Sequence, residues 1–187
     1  MSLLEELQRK ANEESKYPND QEFLERKAID VVYEMLKAKE LLEKGDTRNA
    51  AGKAFQAWKD LLSCLICLNL DELLKRAKDE RERKWIREKA VLVPTSRMAR
   101  LAQALEEMGI RNVSPWTNTA IKLHSYQYNG PDPDGIYFAP RDEEEAREDI
   151  KLLLEAAKEY LERYVLPNIK GKSLEMIREG MKLLDFP

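Results

Sequence analysis

Leu41-Leu42-Glu43-Lys44-Gly45-Asp46-Thr47-Arg48-Asn49-Ala50 is the stretch whose reading decides the fold. An apolar seam ends at Leu42, and a glycine followed by an aspartate comes three residues on. Glycine enters the left-handed conformation that ends a helix without a Cβ penalty. Aspartate accepts hydrogen bonds from the first free N–H groups of the next helix. One helix therefore stops at Gly45 and another starts at Asp46, with only a tight turn between them. Two long helices joined this way lie antiparallel, as an αα-hairpin.

Upstream, Leu24, Ala28, Val31, Met35, Ala38 and Leu42 alternate steps of four and three, a coiled-coil-like seam that opens after a possible cap at Asp20. Downstream, Ala50, Ala54, Phe55, Ala57, Trp58, Leu61, Leu62, Leu65, Ile66 and Leu68 cover most of the helix circumference. A helix this apolar belongs at the centre of a bundle or at a subunit interface. We expect a homodimer built on it, since symmetric pairing is the commonest way to cover such a face.

The remaining chain also reads as helices. Residues 1–15 form a short charged helix ended by Tyr17-Pro18-Asn19. Residues 75–89 are densely charged, with Trp85 and Ile86 as apolar anchors, and a break follows at residues 91–94. A helix over residues 95–108 stops at Gly109. Ser114 with Pro115 marks another start. Residues 129–135, rich in Asn, Pro, Asp and Gly, form a loop. Asp142 with Glu145 is a capping-box-like start to a helix whose seam is Ala146, Ile150, Leu153, Ala157, Tyr160 and Tyr164. A short helix over residues 173–184 closes the chain. The expectation is an all-α fold, an up-and-down bundle of four long core helices with shorter peripheral ones. It forms one helical domain over 1–187, with its core bundle over about 20–165.

Composition narrows the function. Hydrophobic residues are 43% and charged residues 36% of 187, which is neither a disordered tail nor a membrane protein. The charged start does not read as a signal peptide, so the expected setting is cytoplasmic. Abundant Lys, Arg and Glu beside scarce Gln lean toward a thermophilic source. A net charge of −3 argues against indiscriminate nucleic-acid binding but leaves room for a local basic patch. Cys64 and Cys67 lie inside an apolar helix, which reads as two small core residues and not as a zinc or redox site. Asp142, Glu145 and Asp149 share a face, yet the Glu-x-x-His pairs of di-iron bundles are missing. No cofactor and no metal are expected.

The only histidine, His124, sits in Lys122-Leu123-His124-Ser125-Tyr126-Gln127-Tyr128. With Gly45, Asp46, Ala50 and Lys53 upstream and an acidic helix start downstream, this layout resembles the archaeal PaREP-type helical proteins. More broadly it resembles the HEPN superfamily, the higher eukaryote and prokaryote nucleotide-binding domains, over about residues 23–164. That resemblance implies a helical bundle that is often dimeric and often works beside a nucleotidyltransferase. It also implies, in the catalytic members, metal-independent RNA cleavage by a histidine with a nearby tyrosine and an arginine separated from it by four to six residues. His124 and Tyr126 match. The arginine does not, because positions 117 to 119 hold Thr, Asn and Thr. Cleavage needs a base and a cation to stabilise charge on the phosphate. Lys122 and Lys53 are the motif-linked substitutes, from the same or the opposite subunit. On a helical projection His124 falls in an arc with Thr117, Ala120, Ile121 and Tyr128, with Lys122, Ser125 and Tyr126 on the other side. That placement favours a histidine hydrogen-bonded in the core or an interface.

A second pattern is electrostatic. Residues 75–100 carry ten basic and four acidic residues, and residues 141–162 carry nine acidic and four basic. The basic strip reads either as a solvated face paired along its helices or as an RNA-facing surface. In the second case Arg81, Arg83 and Arg87 meet phosphates and Trp85 stacks on bases. The expected function is a non-catalytic helical binding module, homodimeric, that engages RNA, a nucleotide or a nucleotidyltransferase-type protein partner. The alternative is a metal-independent endoribonuclease centred on His124.

Overall fold

A computed structural model describes residues 2–11 and 21–184, and every regular element among them is helical. The elements are α1 (Leu3–Ala11), α2 (Gln21–Glu43), α3 (Thr47–Leu68), α4 (Leu70–Arg76), α5 (Glu80–Lys89), α6 (Met98–Glu107), α7 (Val113–Asn129), α8 (Glu143–Tyr160) and α9 (Gly171–Lys182). The expected break at residues 17–19 and the cap at Asp20 lie outside the described residues. No described helix is long and apolar enough to cross a membrane.

The turn between α2 and α3 closes as its residues dictate. Gly45 takes φ +78°, its N–H reaches Leu42 O, and the Asp46 N–H reaches Leu41 O at 2.9 Å. These two bonds satisfy the last carbonyls of α2 in a Schellman motif. Asp46 then accepts from the Asn49 N–H and caps α3. All six residues of the expected α2 seam are buried.

Helix α3 is the centre of the molecule. It packs on α2, α7 and α8, and also on α6 and the 3-10 turn Ala90–Leu92. Its apolar residues from Ala50 to Ile66 are buried by these elements of the same chain. The argument that α3 needs a second subunit to cover it therefore fails. Shorter helices pack around the long ones: α1 and α9 on α2, and α6 on α3 and α7. One buried polar link ties α3 to α7: Trp58 Nε1 donates to Thr117 Oγ1 at 2.9 Å, and Thr117 Oγ1 donates to Val113 O.

Two stretches differ from expectation, and the start of α8 matches it. The charged stretch is two helices, α4 and α5, followed by 3-10 turns at Ala90–Leu92 and Thr95–Arg97. Helix α7 starts at Val113 behind Asn112, which has φ +60° and makes no side-chain cap. Ser114 is thus already in the first turn, and its Oγ is buried without a hydrogen-bond partner. The buried Val113 side chain draws that turn into the core ahead of the serine. At α8, Asp142 accepts from the Glu145 N–H at 2.8 Å, while the Glu145 carboxylate reaches back to the Arg141 N–H at 3.0 Å. The helix continues past Tyr160 as a π turn, Leu161–Val165.

Candidate functional sites

Four polar residues of α3 lie on one stripe. Asn49, Lys53, Gln56 and Asp60 recur at steps of four, three and four, the spacing that puts side chains on one helix face. Asn49, Lys53 and Gln56 form one wall of a groove of about 410 Å³, completed by Leu41 of α2 and by His124, Gln127 and Tyr128 of α7. The two walls are clamped at one end by Arg48, whose guanidinium donates to Gln127 O and Tyr128 O at 2.8 and 2.7 Å. Gly52 leaves room for the Gln127 amide, since a Cβ there would lie 2.4 Å from it.

His124 is half-buried in this groove. Its ring stacks on Phe55 and meets the Tyr128 edge, with centroids 5.1 Å apart. Nδ1 is buried and has no hydrogen-bond partner. Burial, and then the charge of Lys59, hold the imidazole below its ordinary pKa, so it is neutral at pH 7. Of the two placements expected from the helical projection, core or interface, it is not a hydrogen-bonded histidine in the core of this chain. The core-facing arc of α7 is Val113, Thr117, Ala120, Leu123 and Tyr126, and His124 stands at its rim.

The other two residues tied to His124 by sequence go elsewhere. Tyr126, expected on the polar side, is buried in the core, and burial raises its pKa. Lys122 is clamped between Glu145 and Asp149 of α8, the latter at 3.0 Å. Burial works against its charge, but the two carboxylates outweigh it and raise its pKa. This clamp explains why Glu145 and Asp149 share a face. Lys53, 71 positions before His124, is the cation that lines the histidine groove.

Behind that groove α2 and α3 share a buried ionic network. Lys53 Nζ pairs with Glu34 at 2.9 Å. Lys27 Nζ lies 2.9 Å from Asp60 and 3.1 Å from Asp30, and Gln56 Nε2 donates to Asp60 Oδ2. Asp30 Oδ1 is buried with no partner. Burial first, and then repulsion from Asp60, push the Asp30 carboxyl up to about 7 against the pull of Lys27. Burial likewise raises Glu34.

A second site forms where α5 meets α6. Asp79 caps α5 through the Glu82 N–H, and Glu82 in turn accepts from the Lys78 N–H, both at 2.7 Å. These two carboxylates are committed to backbone donors. Around them, Lys78, Arg81, Arg97 and Arg100 line a pocket of about 450 Å³ with Trp85, and none of the four makes an ion pair with a described residue. Arg97 lies over the Trp85 ring, 5.9 Å from its centroid. The basic strip is thus divided. Arg81 and Trp85, four residues apart, share the pocket face, whereas Arg83 and Arg87 point about 120–160° away on α5. Arg83 pairs with Glu80, and Lys75 and Arg76 pair with Glu72.

The stripe on α3 was open to a sequence reading, because polar residues at helical spacing on an otherwise apolar helix need a reason. The joining of Trp85 to Arg97 and Arg100 was not, because it depends on how α5 crosses α6. Cys64 is buried in α3, and burial raises its thiol pKa. Among the described residues no group of three or more His, Cys, Asp or Glu side chains is placed to hold a metal ion. No curated protein and no solved structure matches the chain. The model of one family, described as the archaeal PaREP1/PaREP8 family, matches residues 27–154, which span the α2–α3 hairpin, both candidate sites and most of α8. The chain belongs to the archaeal PaREP1/PaREP8 family.

Proposed function

We propose that this chain is a non-catalytic, HEPN-like helical binding module that holds single-stranded RNA at the Trp85 pocket. The observation that carries this reading is the concentration of four cations without carboxylate partners around one tryptophan, in a chain whose net charge is −3. Asp79 and Glu82 line the same pocket and leave it a net charge of +2, which favours an anionic ligand. Phosphates supply that anion, and an indole supplies a stacking surface for a base. We read α2, α3, α7 and α8 as the four long helices of an up-and-down bundle, with α5 and α6 as the ligand-bearing edge. A nucleotidyltransferase-type protein partner would engage the module elsewhere, since the pocket chemistry suits an anion with a planar base. Titration of a labelled single-stranded RNA at several salt concentrations tests the reading. Affinity should fall steeply as salt rises, and RNA that does not bind even at low salt refutes it.

A second reading, a metal-independent endoribonuclease, is favoured by one observation. His124 and Lys53 line the same groove, so a neutral base and a cation converge there without the missing arginine. RNA cleavage in EDTA that disappears in a folded His124→Ala variant would establish it in place of the binding module.

A further inference from the structure

The Trp85 pocket holds opposite charges that leave one another alone. Asp79 and Glu82 line it together with Lys78, Arg81, Arg97 and Arg100, yet no ion pair among the described residues joins the two sets. Local geometry explains the separation. Asp79 Oδ1 accepts the Glu82 N–H and Glu82 Oε2 accepts the Lys78 N–H, so the start of α5 holds both carboxylates in place. Each of these bonds uses one oxygen. Asp79 Oδ2 and Glu82 Oε1 have no hydrogen-bond partner among the described residues. Both carboxylates are thus fixed acceptors with capacity to spare. A pocket for phosphate alone would be better without them, because a carboxylate beside a phosphate repels it.

Their place beside the indole gives one of them another use. Glu82 and Trp85 are three residues apart in α5, a spacing that makes their side chains neighbours on one face. Side chains of a helix lean toward its N-terminus, so Trp85 covers the turn that carries Glu82. A base stacked on Trp85 can thus present an edge to the Glu82 carboxylate. Arg97 covers the ring from 5.9 Å, the outer limit of a cation–π contact, and is exposed. It can yield the ring to a base and keep its charge for a flanking phosphate.

A fixed carboxylate selects among bases, because it needs donors. Glu82 Oε1 is free, and Oε2 keeps a second lone pair beside its backbone bond. Two donors side by side match this pair of oxygens. On its Watson–Crick edge guanine presents N1–H and N2–H next to each other. Adenine and cytosine place a ring-nitrogen acceptor beside their amino group, and uracil sets one N–H between two carbonyls. We propose that the Trp85 pocket reads guanine: the base stacks on Trp85, and the Glu82 carboxylate accepts its N1–H and N2–H, while Lys78, Arg81 and Arg100 hold the flanking phosphates. The inference rests on the RNA-binding reading of this pocket and adds its base specificity.

Fluorescence anisotropy of labelled oligouridines at low salt tests it on the full chain. One oligomer is uridine throughout, and the others carry a single central guanine, inosine or adenine. Guanine should bind wild type roughly 5- to 150-fold tighter than adenine, which stacks as a purine but lacks the donor pair. Inosine, without the N2 amino group, should fall between the two. That comparison needs no variant. Glu82→Gln keeps an acceptor for the Lys78 N–H and, with unchanged circular dichroism, should bring the guanine-to-adenine ratio close to one. It also removes a negative charge, so the adenine and all-uridine oligomers should bind it more tightly than wild type. Equal wild-type affinity for guanine and adenine overturns the proposal and leaves RNA binding at the pocket standing. A preference that inosine fully retains, or one that survives in Glu82→Gln, overturns it as well. No binding of any oligomer overturns the RNA-binding reading and this inference with it.

Discussion

His124 lies flat on Phe55, with ring centroids 4.0 Å apart and planes inclined by 20°. The contact makes the imidazole part of an aromatic stack, yet it leaves Nδ1 buried without a partner. A protonated ring would be a half-buried charge that faces Lys59, with Nδ1 still lacking a partner.

A stability experiment follows from that stack. The native pKa of His124 is lowered, so as pH falls through the ordinary histidine range the unfolded chain takes up the proton first. Stability from this residue is therefore present above about pH 6.5 and lost below it. His124→Phe keeps the stack and removes the proton. It should be within about 1 kcal/mol of wild type at neutral pH and lose less stability on acidification. Urea denaturation at about pH 7.5 and about pH 5.5 measures both. Equal acid sensitivity in the two proteins would contradict the assignment.

Binding should distinguish the two faces of α5. Trp85→Ala should cost RNA affinity by roughly 1–3 kcal/mol if a base stacks there. Arg81→Glu with Arg100→Glu should weaken binding strongly and make its salt dependence shallower. Arg83→Glu with Arg87→Glu changes charge by the same amount on the opposite face and should matter much less. Equal losses for both pairs would assign the effect to net charge and not to the pocket.

The buried network has a pH signature of opposite sign. The Asp30 carboxyl is raised to about 7 in the folded protein, so between its ordinary value of 3.8 and about 7 the native state holds a proton that the unfolded chain has released. Its contribution is favourable at the acid end of that window and is lost as pH rises through 7. Asp30→Asn should therefore stabilise the protein at about pH 8 more than at about pH 5. Asp60→Asn removes the negative charge beside Lys27 and one of the two oxygens that accept from Lys27 and Gln56, and should destabilise by roughly 1–3 kcal/mol. Thermal or urea unfolding of both variants across pH checks the contrast.

Thr117 provides a test of the core that is independent of any ligand. Thr117→Val keeps the shape but removes the acceptor for Trp58 Nε1, which is enclosed between α3, α7 and α8. An unsatisfied buried N–H should cost roughly 1–3 kcal/mol. Thr117→Ser retains the hydroxyl and should recover most of that loss. A valine variant as stable as wild type would show that the bond contributes nothing.

The helices themselves were legible because their signals are local. Gly45 ends α2 and Asp46 caps α3 through groups within six residues of each other, and no distant contact is needed to set them. The α2 and α8 seams likewise follow from the helical period, which fixes one face of a helix relative to itself. The same local reasoning misjudged α7, where Val113 starts the helix ahead of Ser114 and Tyr126 turns into the core. An amphipathic helix has ambiguous faces when aromatic residues occur all round it, and packing against α3 and α8 selects among them.

The amino-acid sequence by itself determined an all-helical chain, the antiparallel α2–α3 hairpin and the position of its one titrating histidine near neutral pH. Each depends on spacing, capping or residue identity over a few turns. Only the tertiary structure decided that Lys53 and not Lys122 lines the His124 groove, that Arg81 and not Arg83 belongs with Trp85, and that α3 is covered by its own chain. Helical period states which side chains share a face. Which face meets which neighbour is set by how many apolar side chains can be buried at once, and that sum runs over the whole molecule.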